Sequence, residues 1–273
     1  MPHTHTHTPY SDGHLKQGYY ANVKKLIETT YNTSGGRRVV LVAHSMGSPI
    51  SLFFLTQFVN QTWKDKYIRA YVTVSGVWHG AGKSVKAMVS GNTDQIFLEK
   101  DIFAREIQRT FPGNVWLLPS PSDTWTSKDV LVITPTKNYT AWDYKELFRD
   151  MNFTSGWRMY NEVKNLTNHL PAPNVTMFCF YGKSYNSTPV QFVYGPGEFP
   201  NKDPSLIIKG DGDETVNLKS LTACSRWKGA REQSYDVTLR EFPNVEHLNM
   251  IKNRDVIKAL DAIVYSPDKG GEM

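Results

Sequence analysis

The chain has 273 residues, of which 40% are hydrophobic, 12% aromatic and 21% charged, and its formal net charge is +5. That apolar content suffices for one substantial α/β core, or one domain with a large insertion, and excludes intrinsic disorder. No stretch approaches the roughly 18 to 20 apolar residues that cross a bilayer. The basic residues allow attraction to an anionic membrane, but they are scattered rather than set in a stripe with interleaved aromatics, which argues against a nucleic-acid partner.

The opening MPHTHTHTPYSDGH is polar, has no apolar signal-peptide region, and residues 1–18 read as a disordered tail. His3, His5 and His7 would share a face in a strand, but no second cluster follows to close a metal shell. YYANVKKLIETTY (19–31) predicts a helix with Tyr20, Val23, Leu26, Ile27 and Thr30 on one face, ended by Gly35-Gly36. VVLVAH follows as a strand and residues 46–59 as a helix. VVLVAH is apolar on both faces, as in a central parallel strand covered by helices and flanked by neighbours. Only a helix and a tail precede it, so the pattern predicts a sheet that lacks its N-terminal strands and leaves one edge of this strand unpaired.

IRAYVTVSG (68–76) is a β-branched strand entered from the charged turn WKDKY. Regularity then breaks from 77 to 173, with short helices such as DYKELFRDM and widely spaced Trp78, Trp116, Trp125, Trp142 and Trp157. So long an excursion between strands predicts a cap or lid layered over a site. Order returns with VTMFCFYG (175–182), a hairpin around 190–194, IIKGDGDETV, the strand DVTLREFP (236–243) and a last helix over 254–264. The expected organisation is an α/β core over 19–76 and 174–265, a cap or lid over 77–173 and a tail over 266–273, built on a mainly parallel sheet.

N-x-[ST] sequons stand at Asn32, Asn60, Asn138, Asn152, Asn165, Asn174 and Asn186. Chance supplies roughly two or three, so the excess predicts a glycosylated chain in an extracytosolic compartment. The two cysteines, Cys179 and Cys224, are compatible with one disulfide there; two free buried thiols are the alternative.

The chemistry-bearing pattern is VVLVAHSMG. A strand, a small-x-Ser-x-Gly turn and a helix form a nucleophile elbow, whose small flanking residues let the serine take a strained backbone. Ala43 fills the first small position and Gly47 keeps the third open, while the N–H of Met46, at the helix start, faces a developing oxyanion. Serine needs a base held by an acid, and the elbow order is Ser, acid, His. GDGDETV offers Asp211 and Asp213 in a tight turn, and NVEHLNM offers His247 between a strand and a helix. A calcium loop is the other reading of DGD, but the Glu an EF-hand needs is absent. His44 is expected to pack beneath the site or touch the cap; His79 and His169 are weaker base candidates.

These residues bring a family into view. VVLVAHSMG, WKDKYIRAYVTVSG, WLLPS, ITPTKNYTAWDYKELFRDM, FCFYG, DGDETVNLKS and EHLNM occur in order, and together the chain resembles the lecithin:cholesterol acyltransferase family, leaning to its phospholipase branch. The resemblance implies an α/β-hydrolase with cap and lid, Ser45 as nucleophile, Asp213 rather than Asp211 as acid, His247 as base, and a Cys179–Cys224 disulfide. It implies cleavage of a phospholipid acyl ester at a membrane or lipoprotein surface, with acyl transfer to water or a lipid alcohol such as ceramide, without calcium or another cofactor. The implied setting is lysosomal or secreted. One departure is GVWHG at 76–80, where the family usually has an Ala-Pro-Trp-Gly-Gly type of turn, so His79 enters a region near the site.

Overall fold

In the computed structural model, residues 18–92, 101–166 and 170–267 are described; the histidine-rich opening and His169 lie outside them. Among the described residues seven strands carry the fold: β1 (Val39–His44), β2 (Ile68–Val74), β3 (Val130–Ile133), β4 (Asn138–Thr140), β5 (Met177–Val193), β6 (Leu206–Gly212) and β7 (Val237–Pro243). β1, β2, the first half of β5 and β7 run parallel side by side, so that His44, Val74, Phe180 and Arg240 form one row across the sheet.

β5 is the organising strand. It runs for 17 residues, and beyond Lys183 its second half pairs antiparallel with β6 and parallel with β3, which β4 then closes. Because β6 returns antiparallel, Gly212 comes back opposite Ser184. The overshoot and return bring Asp213, the next residue, to the C-terminal edge of the parallel sheet, where a parallel strand would have carried it away.

Side chains on β2 and β5 alternate with the period of two expected of strands. Tyr71, Met177 and Cys179 face a core shared with Tyr20, Leu52, Phe54 and Trp227. Val72, Val74 and Phe180 face the opposite core, with Phe242, Met250 and Val256. The first core is covered by α1 (Tyr20–Thr33), α2 (Gly47–Phe53, continued by a π-helical turn over Phe54–Phe58) and α3 (Gln61–Tyr67). A third core is built within residues 85–163, where Trp116, Trp125, Tyr144 and Phe148 pack with Phe192 and Tyr194 of the β5 segment, and Met46 and Ile50 lean against it. The scattered tryptophans therefore divide: Trp78 stacks edge-on against Trp227 in the sheet core, Trp142 is exposed, and Trp116 and Trp125 belong to the third core.

One expectation meets a difference and a second is met. On α1, Tyr20 and Ile27 are buried, but Leu26 is 66% exposed and Thr30 faces out. The inner stripe instead runs through Glu28, which accepts a hydrogen bond from Trp63 Nε1, and Tyr31, which packs on Tyr67. The supporting surface is the aromatic face of α3, and it turns Glu28 and Tyr31 inward in place of Leu26 and Thr30 while Tyr20, Val23 and Ile27 stay on the buried side. On β1, the expected unpaired edge is present: among the described residues β2 is its strand neighbour, and Val42 is 46% exposed.

Cys179 and Cys224 form the disulfide, which ties β5 to the 3₁₀ turn Thr222–Trp227 and closes a loop spanning 45 positions. A loop of that length gives about 4 kcal/mol in the chain-entropy view, with typical measured effects of 2 to 4 kcal/mol. Cys179→Ser combined with Cys224→Ser is expected to lower unfolding free energy by about 2 to 4 kcal/mol. Urea unfolding followed by tryptophan fluorescence measures it, and an unchanged midpoint would contradict the estimate.

Candidate active site

Ser45 follows β1 with φ +54°, in the left-handed region that non-glycine residues avoid, and its N–H donates to Val74 O at 3.0 Å. The neighbouring strand thus fixes the strained turn from the side, and the chain passes from β1 through Met46 into α2. Gly47 is less constrained than the motif implies. A Cβ built there meets Ala43 Cβ at 3.8 Å, ordinary contact, so the strain resides at Ser45.

His247 lies in the loop after β7, and its Nε2 is 2.8 Å from Ser45 Oγ. Its Nδ1 is 2.8 Å from Asp213 Oδ2, and its main-chain N–H donates to Asp213 O at 2.9 Å. Asp213 is fully buried, and its Oδ1 accepts from the N–H groups of Val216 at 2.7 Å and Thr215 at 3.3 Å. A buried carboxylate is costly unless its lone pairs are taken, and here turn amides take one oxygen while the imidazole takes the other. Among the described residues no group of three or more His, Cys, Asp or Glu is placed to hold a metal.

Asp211 stands apart. Its Oδ1 accepts the Asn186 N–H at 3.2 Å across the β5–β6 ribbon, a structural bond. His79 is fully buried and engaged elsewhere: Arg226 Nη1 donates to its Nε2 at 3.3 Å, and its main chain bonds Ser220 Oγ and Ser120 N–H. It is therefore a core residue, and the imidazole hydrogen-bonded to Ser45 Oγ is that of His247. His44 packs against the site, its ring 4.8 Å from that of His247 and its Nε2 bonded to the main-chain oxygen of His247 at 3.1 Å.

Burial, with Arg226 second, lowers the His79 pKa from 6.5 to about 4. In the unfolded chain this imidazole takes a proton near its ordinary value, whereas the folded one stays neutral until about pH 4. Stability is accordingly intact above 6.5 and is lost as pH falls to about 4, by about 3 kcal/mol in all. His79→Gln is expected to flatten that part of the pH dependence, measured by urea unfolding between pH 7 and 4. An identical slope in both proteins would refute the assignment.

Two contributions were not anticipated from sequence. Gly182 of FCFYG lies against the base loop: a Cβ there would fall 2.0 Å from Val245 O and 3.4 Å from Asp213 Cβ. A glycine inside a strand is the signal for such a close approach. Thr188, also buried, accepts the Glu214 N–H at 2.8 Å and so supports the acid turn, which no sequence feature announces. Of the sequon asparagines, Asn32, Asn60, Asn138, Asn152, Asn165 and Asn186 are exposed. Asn174 is half-buried: its Nδ2 donates to Gln61 Oε1 and its Oδ1 accepts from Ser234 N–H, so its side chain joins two segments.

An imidazole bridging a buried carboxylate and a strained serine hydroxyl can take the hydroxyl proton as the oxygen attacks an ester, and return it to the leaving group. Comparison with known proteins bears on the same residues. The family profile described as Lecithin:cholesterol acyltransferase matches residues 12–254. The chain is 39% identical over 249 residues to the lysosomal phospholipase A and acyltransferase of Homo sapiens, covering 91% of this chain and 58% of that protein. It is 38% identical over 233 residues to the phosphatidylcholine-sterol acyltransferase of Gallus gallus, covering 85% and 55% respectively. The chain thus spans somewhat more than half the length of these relatives. Among solved structures, a chain of the Tle4-Tli4 complex superposes with a TM-score of 0.59 at 13% identity, covering 92% of this chain and 63% of that one. The fold is that of an α/β-hydrolase.

Proposed function

The chain belongs to the lecithin:cholesterol acyltransferase family, and from that membership we propose a serine-dependent lipid acyl hydrolase and O-acyltransferase that works through Ser45, His247 and Asp213. The observation that carries this reading is the pair of 2.8 Å contacts running from Ser45 Oγ through His247 to Asp213 Oδ2. His247 Nε2 takes the Ser45 proton as Oγ bonds the acyl carbon, and the Met46 N–H stabilises the oxyanion. Collapse of the tetrahedral intermediate expels the lysolipid alkoxide, which receives the proton from His247. Asp213 holds Nδ1–H throughout and stabilises the imidazolium. Water or a lipid alcohol then repeats the sequence in reverse on acyl-Ser45.

The substrate in this reading is a glycerophospholipid ester presented at a membrane or lipoprotein surface, cleaved as by a phospholipase A1 or A2. The preferred acceptor is water or a ceramide-type alcohol rather than a sterol, on the wording of the ITPTKNYT and DGDETVNLKS blocks. The reading includes calcium-independent chemistry, since the proton transfers it describes need only Ser45, His247 and Asp213. Six exposed sequons support N-glycans and a lysosomal or secreted setting. No helix among the described residues is long and apolar enough to cross a membrane.

The test is phosphatidylcholine vesicles carrying ceramide and cholesterol in competition, with calcium chelated. Free fatty acid and acylceramide are the expected products. Cholesteryl ester in place of acylceramide reverses the acceptor assignment, and the absence of any acyl product from vesicles or a soluble ester refutes the enzyme reading for this chain.

A further inference from the structure

His44 ends β1 and His247 stands 203 positions later, yet their rings lie 4.8 Å apart, tilted by 45°. His44 Nε2 is 3.1 Å from the main-chain oxygen of His247. A carbonyl only accepts, so His44 carries a proton on Nε2. The next residue, Ser45, meets the other end of the same partner, with Oγ 2.8 Å from His247 Nε2. Consecutive residues of the elbow therefore hold the main chain and the ring of one histidine.

His247 needs such a hold. It sits in an irregular loop between Asn244, at φ +57°, and the 3₁₀ turn Asn249–Ile251. Asp213 fixes its N–H and Nδ1, both on the acid side. Rotation about those two bonds swings Nε2 relative to Ser45 unless the carbonyl is also fixed.

We propose that His44 is a positioning residue for the acyl transfer assigned above: its Nε2–H, bonded to the His247 carbonyl, sets the base loop so that His247 Nε2 stays within reach of Ser45 Oγ. The inference rests on the reading of Ser45 and His247 as nucleophile and base. The groups facing His44 are His247 and Asp213, and burial, followed by the charge of His247, lowers its pKa. A neutral His44 donates its bond without setting a like charge beside the imidazolium that forms on His247 in the transition state.

The test compares His44→Phe, which keeps a ring and removes the donor, with His44→Gln, whose amide reaches the same carbonyl. On a soluble p-nitrophenyl ester, H44F is expected to lose about 10- to 100-fold in kcat with little change in KM. H44Q is expected to recover to within about threefold of the parent. Fluorophosphonate labelling of H44F should reach the parent's extent at a lower rate, which separates misplacement from misfolding. The downfield proton resonance of His247 Nδ1–H should be sharp in the parent and H44Q and broadened in H44F. Parent-like turnover in H44F, or H44Q as slow as H44F, overturns the proposal. If H44F is recovered unfolded, His44→Asn replaces it, since its amide stops short of the carbonyl, and parent-like turnover there is equally fatal. A parent chain that takes no label at Ser45 defeats the triad reading instead, and the resonance comparison still decides whether His44 holds the base loop.

Discussion

Ser45→Ala is expected to abolish fluorophosphonate labelling and to lower ester turnover by at least about 10⁴-fold, leaving the fold unchanged. In the proposed reaction the hydroxyl is the group that forms the covalent bond, and no other serine is described within hydrogen-bond distance of His247 Nε2. Asp213→Asn should cost a similar factor, about 10⁴-fold, although it is nearly isosteric. An amide in place of Oδ2 can present N–H to His247 Nδ1, which selects the tautomer with its proton on Nε2, the atom that must accept from Ser45. Asp211→Asn is the control. Its partner is a main-chain N–H of the β5–β6 ribbon, which an amide oxygen also satisfies, so turnover should stay within about threefold. Steady-state kinetics on a soluble ester reads all three. Equal losses in D211N and D213N would mean that the acid is misassigned.

Gly182→Ala is expected to be the most damaging substitution outside the three reacting residues. The added Cβ would stand 2.0 Å from Val245 O, a main-chain atom two residues before His247, and 3.4 Å from Asp213 Cβ. Neither neighbour is the free end of a flexible side chain, so the loop itself must move. Displacement of a base by about 1 Å costs on the order of 100-fold in rate, and overpacking of this kind costs about 1 to 3 kcal/mol of stability. Both should appear together: slower labelling of Ser45, and a lower urea midpoint. Gly47→Ala, whose Cβ makes only ordinary contact with Ala43, should leave the midpoint unchanged. A G182A protein with parent-like rate and stability would show that the β5 and base-loop backbones are not in the close contact described.

The two expectations draw on different kinds of information. Local pattern along the chain was enough for the elbow, because a strand, a strained serine and a helix are specified by adjacent residues through sterics and periodicity. It was likewise enough for the alternation of strands and helices, and for a glycine-rich turn and a histidine following in the right order. On α1 the periodicity places Tyr20, Val23 and Ile27 correctly but not Leu26 and Thr30, because amphipathic periodicity gives a face, while the supporting surface, here Trp63 and Tyr67 of α3, selects which part of that face is buried.

Local pattern did not decide which distant segments meet. It left Asp211 and Asp213 equivalent, and the preference for Asp213 came from the family resemblance; in the structure β6 returns antiparallel to β5, which turns the Asp213 carboxylate toward His247 and leaves Asp211 on the ribbon. His79, five residues past the end of β2, is a buried core residue because Arg226 and Ser220 arrive from a distant segment to engage it. The hold of His44 on the His247 carbonyl joins positions 203 apart. Short-range sterics and hydrophobic periodicity are properties of neighbouring residues and so are written in the sequence. A hydrogen bond is a property of two atoms within about 3 Å, and which distant atoms come that close is settled by strand order and register.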